Sequence, residues 1–146
     1  MKIYITKNEK ETLALGEKFA RGLKGGEVIG LTGELGAGKT VFIKGVARGL
    51  GIKKNITSPT FNIMKVYETR IKNYESRIMN FVHVDAYRLK NGDGLEEIGI
   101  KDYLGEKNAV VVIEWADKVH NLLKKIKYIK VDIRLDKKED ERSIFI

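Results

Sequence analysis

Residues 28 to 40 constrain this chain more than any other stretch. The apolar run Val28-Ile29-Gly30-Leu31 gives way to Gly33-Glu34-Leu35-Gly36-Ala37-Gly38-Lys39-Thr40, a G-x-x-x-x-G-K-[ST] pattern directly after a strand-like segment. Small residues let successive backbone N–H groups turn inward around a phosphate, and the helix that follows opens with unpaired donors and a positive dipole end. In such a loop Lys39 reaches the β- and γ-phosphates and the Thr40 hydroxyl ligates Mg²⁺. The context matches the pattern. Val41-Phe42-Ile43, Val46-Ala47 and Leu50 share one helical face before Gly51 supplies a stop.

Composition narrows the remaining possibilities. A chain of 146 residues is expected to form one domain, 1–146, with room for a single core. No stretch approaches 18 consecutive apolar residues, so no membrane association is expected. Met1-Lys2-Ile3-Tyr4-Ile5 reads as a strand rather than a secretory leader, which makes a cytoplasmic location the default. The absence of cysteine excludes disulfides, thiolate metal sites and cysteine nucleophiles. His83 and His120, the two histidines, are too separated to found a zinc site and read as ordinary side chains. A formal net charge of +8 suits nucleotide, RNA or both, and equally a lysine-rich solvated surface. No aromatic residues interleave with the lysine pairs, as a face for single strands requires.

In chain order, residues 2–6 read as a strand and 8–24 as a helix, with Asn8 as cap, Glu11 three residues on, and Gly25-Gly26 closing it. After the loop helix, Thr57-Ser58-Pro59-Thr60-Phe61 holds the only proline, which presents Thr60 from a constrained, non-helical segment. Such a threonine either senses a γ-phosphate and its metal or merely starts a strand. Residues 61–67 and 78–84 read as a hairpin whose polar tip carries Arg70, Lys72 and Arg77. Phe81-Val82-His83-Val84 ends in Asp85, a carboxylate at the carboxyl end of an apolar strand, where ligands sit in open α/β sheets. Asp85 is therefore a candidate Mg²⁺ partner opposite Thr40, while Arg88 is free to face phosphate or an acidic neighbour. Residues 91–107 suggest a turn and two short helical pieces broken near Gly99.

Ala109-Val110-Val111-Val112-Ile113 has the composition of a central parallel strand, and it ends in Glu114-Trp115. Glu114 faces the same crevice, either to ligate Mg²⁺ through water or to orient an attacking water. Trp115 either stacks on a base, walls the site or sits in the core. Residues 126–134 and 142–146 read as closing strands around a charged turn, 136–141. The alternation of strand and helix predicts a three-layer α/β domain. The base-reading Asn-Lys-x-Asp of GTPases does not occur, and the Asp-x-x-Gly at Asp102–Gly105 does not follow an apolar strand, so GTP is disfavoured. A small-molecule kinase with a short lid at 88–105 is the alternative to an ATPase.

The assembled motifs resemble the bacterial TsaE family, the small ATPase of tRNA threonylcarbamoyladenosine biosynthesis. The resemblance spans nearly the whole chain and rests on GELGAGKT (33–40), TSPTF (57–61), HVDAYRL (83–89), EEIGIKDYL (96–104) and IEW (113–115). It implies an α/β/α P-loop NTPase fold with a mixed, mainly parallel sheet. It also implies Mg²⁺-dependent ATP hydrolysis that supports modification of adenosine 37 in tRNAs reading codons that begin with A. The implied partners are a TsaD-family threonylcarbamoyl transferase and its inactive TsaB-family paralogue, an arrangement that allows an indirect tRNA contact and leaves direct tRNA binding open. Residue by residue, the resemblance puts phosphates on Gly36, Ala37, Gly38, Lys39 and Thr40, within the Gly33-Glu34-Leu35 loop. It gives Mg²⁺ to Thr40 and Glu114, switch-like roles to Thr60 and Asp85, and a place near the nucleotide to Trp115.

Overall fold

The computed structural model describes residues 1–59, 61–69, 78–138 and 140–146. Thr60, Arg70, Lys72 and Arg77, singled out above, lie outside the described residues. Among the described residues seven strands form one sheet: β1 (Ile3–Thr6), β2 (Val28–Thr32), β3 (Met64–Glu68), β4 (Asn80–Asp85), β5 (Ala109–Glu114), β6 (Ile129–Leu135) and β7 (Arg142–Phe145). The spatial order is β1-β7-β6-β2-β5-β4-β3. The four central strands, β6, β2, β5 and β4, are mutually parallel, while β3 closes one edge and β7 with β1 the other in antiparallel fashion.

Two helical layers cover this sheet because its central strands are apolar on both faces, and β5 is buried along its whole length. On one face, α1 (Glu9–Ala20) and α2 (Lys39–Gly49) cover Ile29, Leu31, Phe81, Val110, Val112, Val131 and Ile133 with a cluster centred on Phe42, Ile43 and Val46. On the other face, Val28, Val82, Val84, Val111 and Ile113 meet Leu95, Ile100, Val119, Leu122 and Leu123. These come from α3 (Asp93–Glu97), α4 (His120–Leu123) and 3₁₀ turns at Ile100–Asp102 and Ala116–Val119. This is the expected three-layer, mixed and mainly parallel architecture. Among the described residues no helix is long and apolar enough to cross a membrane.

The departures from the sequence reading are local. The first helix is capped by the Asn8 side chain, which accepts from Glu11 N–H at 2.8 Å, but it ends at Ala20 rather than at residue 24. Leu23 is drawn into the core, so the chain turns early, with Gly22 and Leu23 N–H donating to the Phe19 and Ala20 carbonyls. Gly25 then packs against the Lys107 carbonyl, and both Lys24 and Gly25 N–H donate to the Glu27 carboxylate. The strand read at 61–67 starts only at Met64, because Ile63 adopts a left-handed φ of 60° and Phe61 is exposed. Its partner begins at Asn80, not 78, and extends to Asp85. Residues 116–123, for which no element is read, are helical and fill the second layer.

The contact between α1 and α2 is unusually close. A Cβ on Gly45 would lie 2.1 Å from the Leu13 carbonyl oxygen, and one on Gly16 would lie 2.3 Å from the Phe42 carbonyl oxygen. Glycine is required at this crossing because backbone meets backbone. Alanine at an ordinary helical glycine gains about 1 kcal/mol of propensity. Here Gly45→Ala is expected to lower stability instead, by about 1–3 kcal/mol, since the obstructing atom is main chain and cannot rotate away. Urea unfolding checks this; a variant at least as stable as the parent would refute the close-packing account.

Candidate functional site

Strand β2 delivers the chain to a loop in which Gly33, Gly36 and Gly38 have φ of 144°, 80° and 102°. Gly38 is the left-handed N-cap of α2 and offers no side-chain cap, so the first turn of the helix keeps its backbone donors for a ligand. Glycine is needed at Gly38 for the positive φ. The loop is tightened by Ala37 N–H donating to the Glu34 carbonyl at 3.1 Å.

The Lys39 side chain folds back over this loop. Its Nζ donates to the Gly33 carbonyl at 2.6 Å and the Glu34 carbonyl at 2.8 Å, and lies 4.0 Å from the centre of the Trp115 ring. Burial pushes its pKa below the ordinary lysine value, against the opposing pull of Glu114, Asp117 and Asp85. Trp115 reaches this position from a left-handed φ of 58°, uncommon for a large side chain, and its ring packs against Tyr87 at 5.0 Å. The Trp115 ring lines the pocket rather than lying in the core.

The carboxylates come from adjacent parallel strands. Glu114 at the end of β5 is paired in register with Asp85 at the end of β4. Glu114 is only 2% exposed, and its Oε1 accepts from the Thr40 hydroxyl at 3.1 Å. The Ser58 hydroxyl stands 3.5 Å from Oε2, and His83 Nε2 stands 3.5 Å from Oε1. Asp85 is half-buried and accepts from Tyr87 N–H at 3.0 Å, which holds its carboxylate at the turn after β4.

Leu35, Gly36, Gly38, Lys39, Thr40, Asp85, Glu114 and Trp115 line one pocket of about 300 Å³, together with Ser58, Tyr87 and Arg142. Gly33, Glu34 and Ala37 form the body of the loop behind it. Arg88 is exposed and does not line the pocket. Two larger grooves, of about 580 and 650 Å³, lie beside the carboxyl end of α2 around Lys53 and Lys54, and neither contains the paired carboxylates or the loop. The chemistry therefore centres on the smaller pocket.

Several neighbours escape a reading of the sequence. His83 is fully buried against Glu114, and Arg142, 105 residues beyond Ala37, reaches the loop from β7. The alternation of β4 could have signalled His83, since it shares a face with Asp85 two residues away. Nothing local signals Arg142.

Among the described residues no group of three or more His, Cys, Asp or Glu side chains could enclose a metal ion. The donors present are hard oxygens, the Thr40 hydroxyl and the Glu114 carboxylate at 3.1 Å from each other, with Asp85 on the next strand. That set fits Mg²⁺, which is commonly held by one or two carboxylates with phosphate and water completing its shell.

The comparisons agree over almost the full length. The family model "Threonylcarbamoyl adenosine biosynthesis protein TsaE" matches residues 6–144. The tRNA threonylcarbamoyladenosine biosynthesis protein TsaE of Bacillus subtilis is 39% identical over 118 residues, covering 81% of this chain and 68% of the relative. That of Treponema pallidum is 38% identical over 115 residues, covering 79% and 78%. The crystal structure of Bacillus subtilis YdiB superposes with a TM-score of 0.72 at 32% identity, covering 98% of this chain and 82% of YdiB. With the loop, the paired carboxylates and the sheet order all in place, the chain belongs to the TsaE family.

Proposed function

We propose that this protein binds Mg²⁺ and ATP in the pocket between the 33–40 loop and the ends of β4 and β5, and hydrolyses the γ-phosphate. The activity supports formation of threonylcarbamoyladenosine at position 37 of tRNAs that read codons beginning with A. In this reading it acts in the cytoplasm through a TsaD-family transferase paired with its TsaB-family paralogue. The observation that carries the proposal is the meeting of Lys39, Thr40 and Glu114 in one pocket of a chain from this family.

Each residue has a chemical part. The backbone N–H groups of Gly36, Gly38, Lys39 and Thr40 cradle the β-phosphate, joined by that of Ala37 once it leaves the Glu34 carbonyl, and the Lys39 ammonium leaves the Gly33 and Glu34 carbonyls for the β- and γ-phosphate oxygens. Thr40 and Glu114 would hold Mg²⁺, which when bound neutralises charge on the phosphates. Asp85, half-buried beside them, orients the attacking water, whose oxygen bonds to the γ-phosphorus as the bond to the β–γ bridging oxygen breaks. The Trp115 ring, with Tyr87 packed against it, covers one side of the pocket, which strengthens the electrostatic contacts within. The 88–105 segment, where a small-molecule kinase would carry its lid, buries Leu95 and Ile100 completely, and that anchoring favours hydrolysis over transfer to a small acceptor.

ATP turnover by the purified protein, alone and with the transferase pair, tests the proposal, with modified tRNA counted in parallel. Turnover raised by the pair, together with modification beyond one round, is the expected result. Turnover indifferent to the pair would sink the accessory role and direct attention to a phosphate acceptor. Lys39→Ala is expected to cut turnover at least about a hundredfold, since it removes a charge aimed at the migrating phosphoryl group. Glu114→Gln keeps the shape of the buried side chain and loses its charge; turnover should fall by at least about tenfold while the variant melts close to the parent temperature. If it unfolds with activity per folded molecule intact, Glu114 is structural. Trp115 is the only tryptophan, so its emission should change on addition of ADP, and an unchanged spectrum at saturating ADP would remove it from the nucleotide wall.

A further inference from the structure

The sheet places a second cation at the phosphate loop, from an element far away in sequence. Arg142 opens β7, where it pairs in register with Leu135 of β6 and Thr6 of β1. Because β6 runs parallel to β2, this position falls at the same edge of the sheet as the loop. The residue is 6% exposed and lines the pocket that also holds Lys39, Thr40 and Glu114. Its Nε donates to the Ala37 carbonyl at 3.1 Å, and its Nη1 donates to the Asp140 carbonyl at 2.7 Å.

Two features set Arg142 apart from a packing residue. Among the described residues it forms no ion pair with a carboxylate, unlike Arg48 and Arg134 on the surface. Its hydrogen bonds among the described residues go to carbonyls, so no carboxylate matches the buried guanidinium at contact distance, a placement that an added anion would stabilise. The second feature is geometric. A peptide group is planar and trans, so its C=O and N–H point in opposite directions. Arg142 holds the Ala37 carbonyl, and so directs the Gly38 N–H of the same peptide the other way. The fit is tight enough that a Cβ on Gly38 would lie 2.8 Å from Arg142 Nε.

We propose that Arg142 is a positioning residue of the nucleotide site: it braces the Ala37–Gly38 peptide so that Gly38 N–H meets the polyphosphate, and it supplies a fixed positive charge there besides Lys39. The inference rests on the nucleotide reading above. It assigns to the last antiparallel strand a part in anion binding that the loop motif does not contain.

Calorimetric titration of the full chain with ADP, for the parent, Arg142→Met and Arg142→Lys, tests this. Loss of a charge-assisted contact predicts about tenfold to a hundredfold weaker ADP binding for Arg142→Met. Arg142→Lys should recover only part of the loss, because an ammonium restores charge without the planar fork. Thermal unfolding without ligand separates a structural role, which lowers the melting temperature and leaves the affinity of the folded fraction unchanged. ADP affinity within twofold of the parent in a folded Arg142→Met overturns the proposal. Should that variant not fold, the Arg142 Nε–H resonance of the parent decides: it should shift with ADP and not with adenosine, and a signal unmoved by ADP overturns the proposal. A parent that binds no ADP sinks the nucleotide reading and this inference together, whereas a parent that binds, with variants that bind equally, sinks only the inference.

Discussion

The meeting of the loop with the two carboxylates depends on the parallel pairing of β2, β5 and β4. Parallel neighbours bring their carboxyl ends to one edge, so a loop after β2, a glutamate closing β5 and an aspartate closing β4 meet although they are far apart in sequence. Thr40 and Glu114 are separated by 74 positions and by one 3.1 Å hydrogen bond. A one-residue slip between β4 and β5 would turn Asp85 to the opposite face of the sheet and dismantle the arrangement. The register is secured by fully buried apolar residues on both faces, Val110 to Ile113 in β5 against Phe81, Val82 and Val84 in β4. Apolar packing throughout the middle of the sheet therefore determines where two charged groups stand at its rim.

The rim is electrostatically unbalanced in a way that suits an anion. Lys39 and Arg142 are both buried, and both are satisfied by carbonyl oxygens rather than by carboxylates at hydrogen-bond distance. Desolvation lowers the Lys39 pKa even with Glu114, Asp117 and Asp85 nearby. Phosphate oxygens would replace weak partners with charged ones, and charge-assisted hydrogen bonds are roughly twice as strong as neutral ones. On the carboxylate side, Glu114 has hydroxyls and an imidazole near it but, among the described residues, no lysine or arginine in contact, which leaves it able to meet a divalent ion. His83 is the cost of this arrangement, since both its ring nitrogens lack a hydrogen-bond partner among the described residues.

How much of this is legible in the residues follows the range of the interactions. The loop, the strand before it and the helix after it are local, and the glycines, lysine and threonine spell them out. Asp85 and Glu114 are recognisable because each ends an apolar run, a signal that needs only one strand to be seen. What escapes is whatever depends on a partner in space. The helical 116–123 segment is short and lacks a capping side chain at either of its starts, so its helicity comes from Ala116, Val119, Leu122 and Leu123 packing beneath the sheet. The early end of α1 goes with Gly22 just past the Arg21 cap and with the burial of Leu23, and Gly25-Gly26 serve the turn beyond it. The delayed start of β3 follows from the left-handed Ile63, which no residue propensity announces. Arg142 sits in an exposed-looking run of charges, and only the antiparallel return of β7 brings it to the loop.

The glycine crossing of α1 and α2 has a mechanical consequence. Side chains between helices can change rotamer and absorb a small displacement, but at Gly16 and Gly45 the two backbones touch with nothing deformable between them. The loop helix α2 and α1 therefore have little room to slide past one another at this crossing. The first turn of α1 places Glu9 on the pocket wall, and Thr12 in that helix joins its hydroxyl to Thr6 of β1 at 2.7 Å. Under the nucleotide reading proposed above, a shift of α2 on binding would pass through this crossing to α1 and, by the Thr6–Thr12 contact, to the far edge of the sheet, where the outer surface of α1 and β1 would register it.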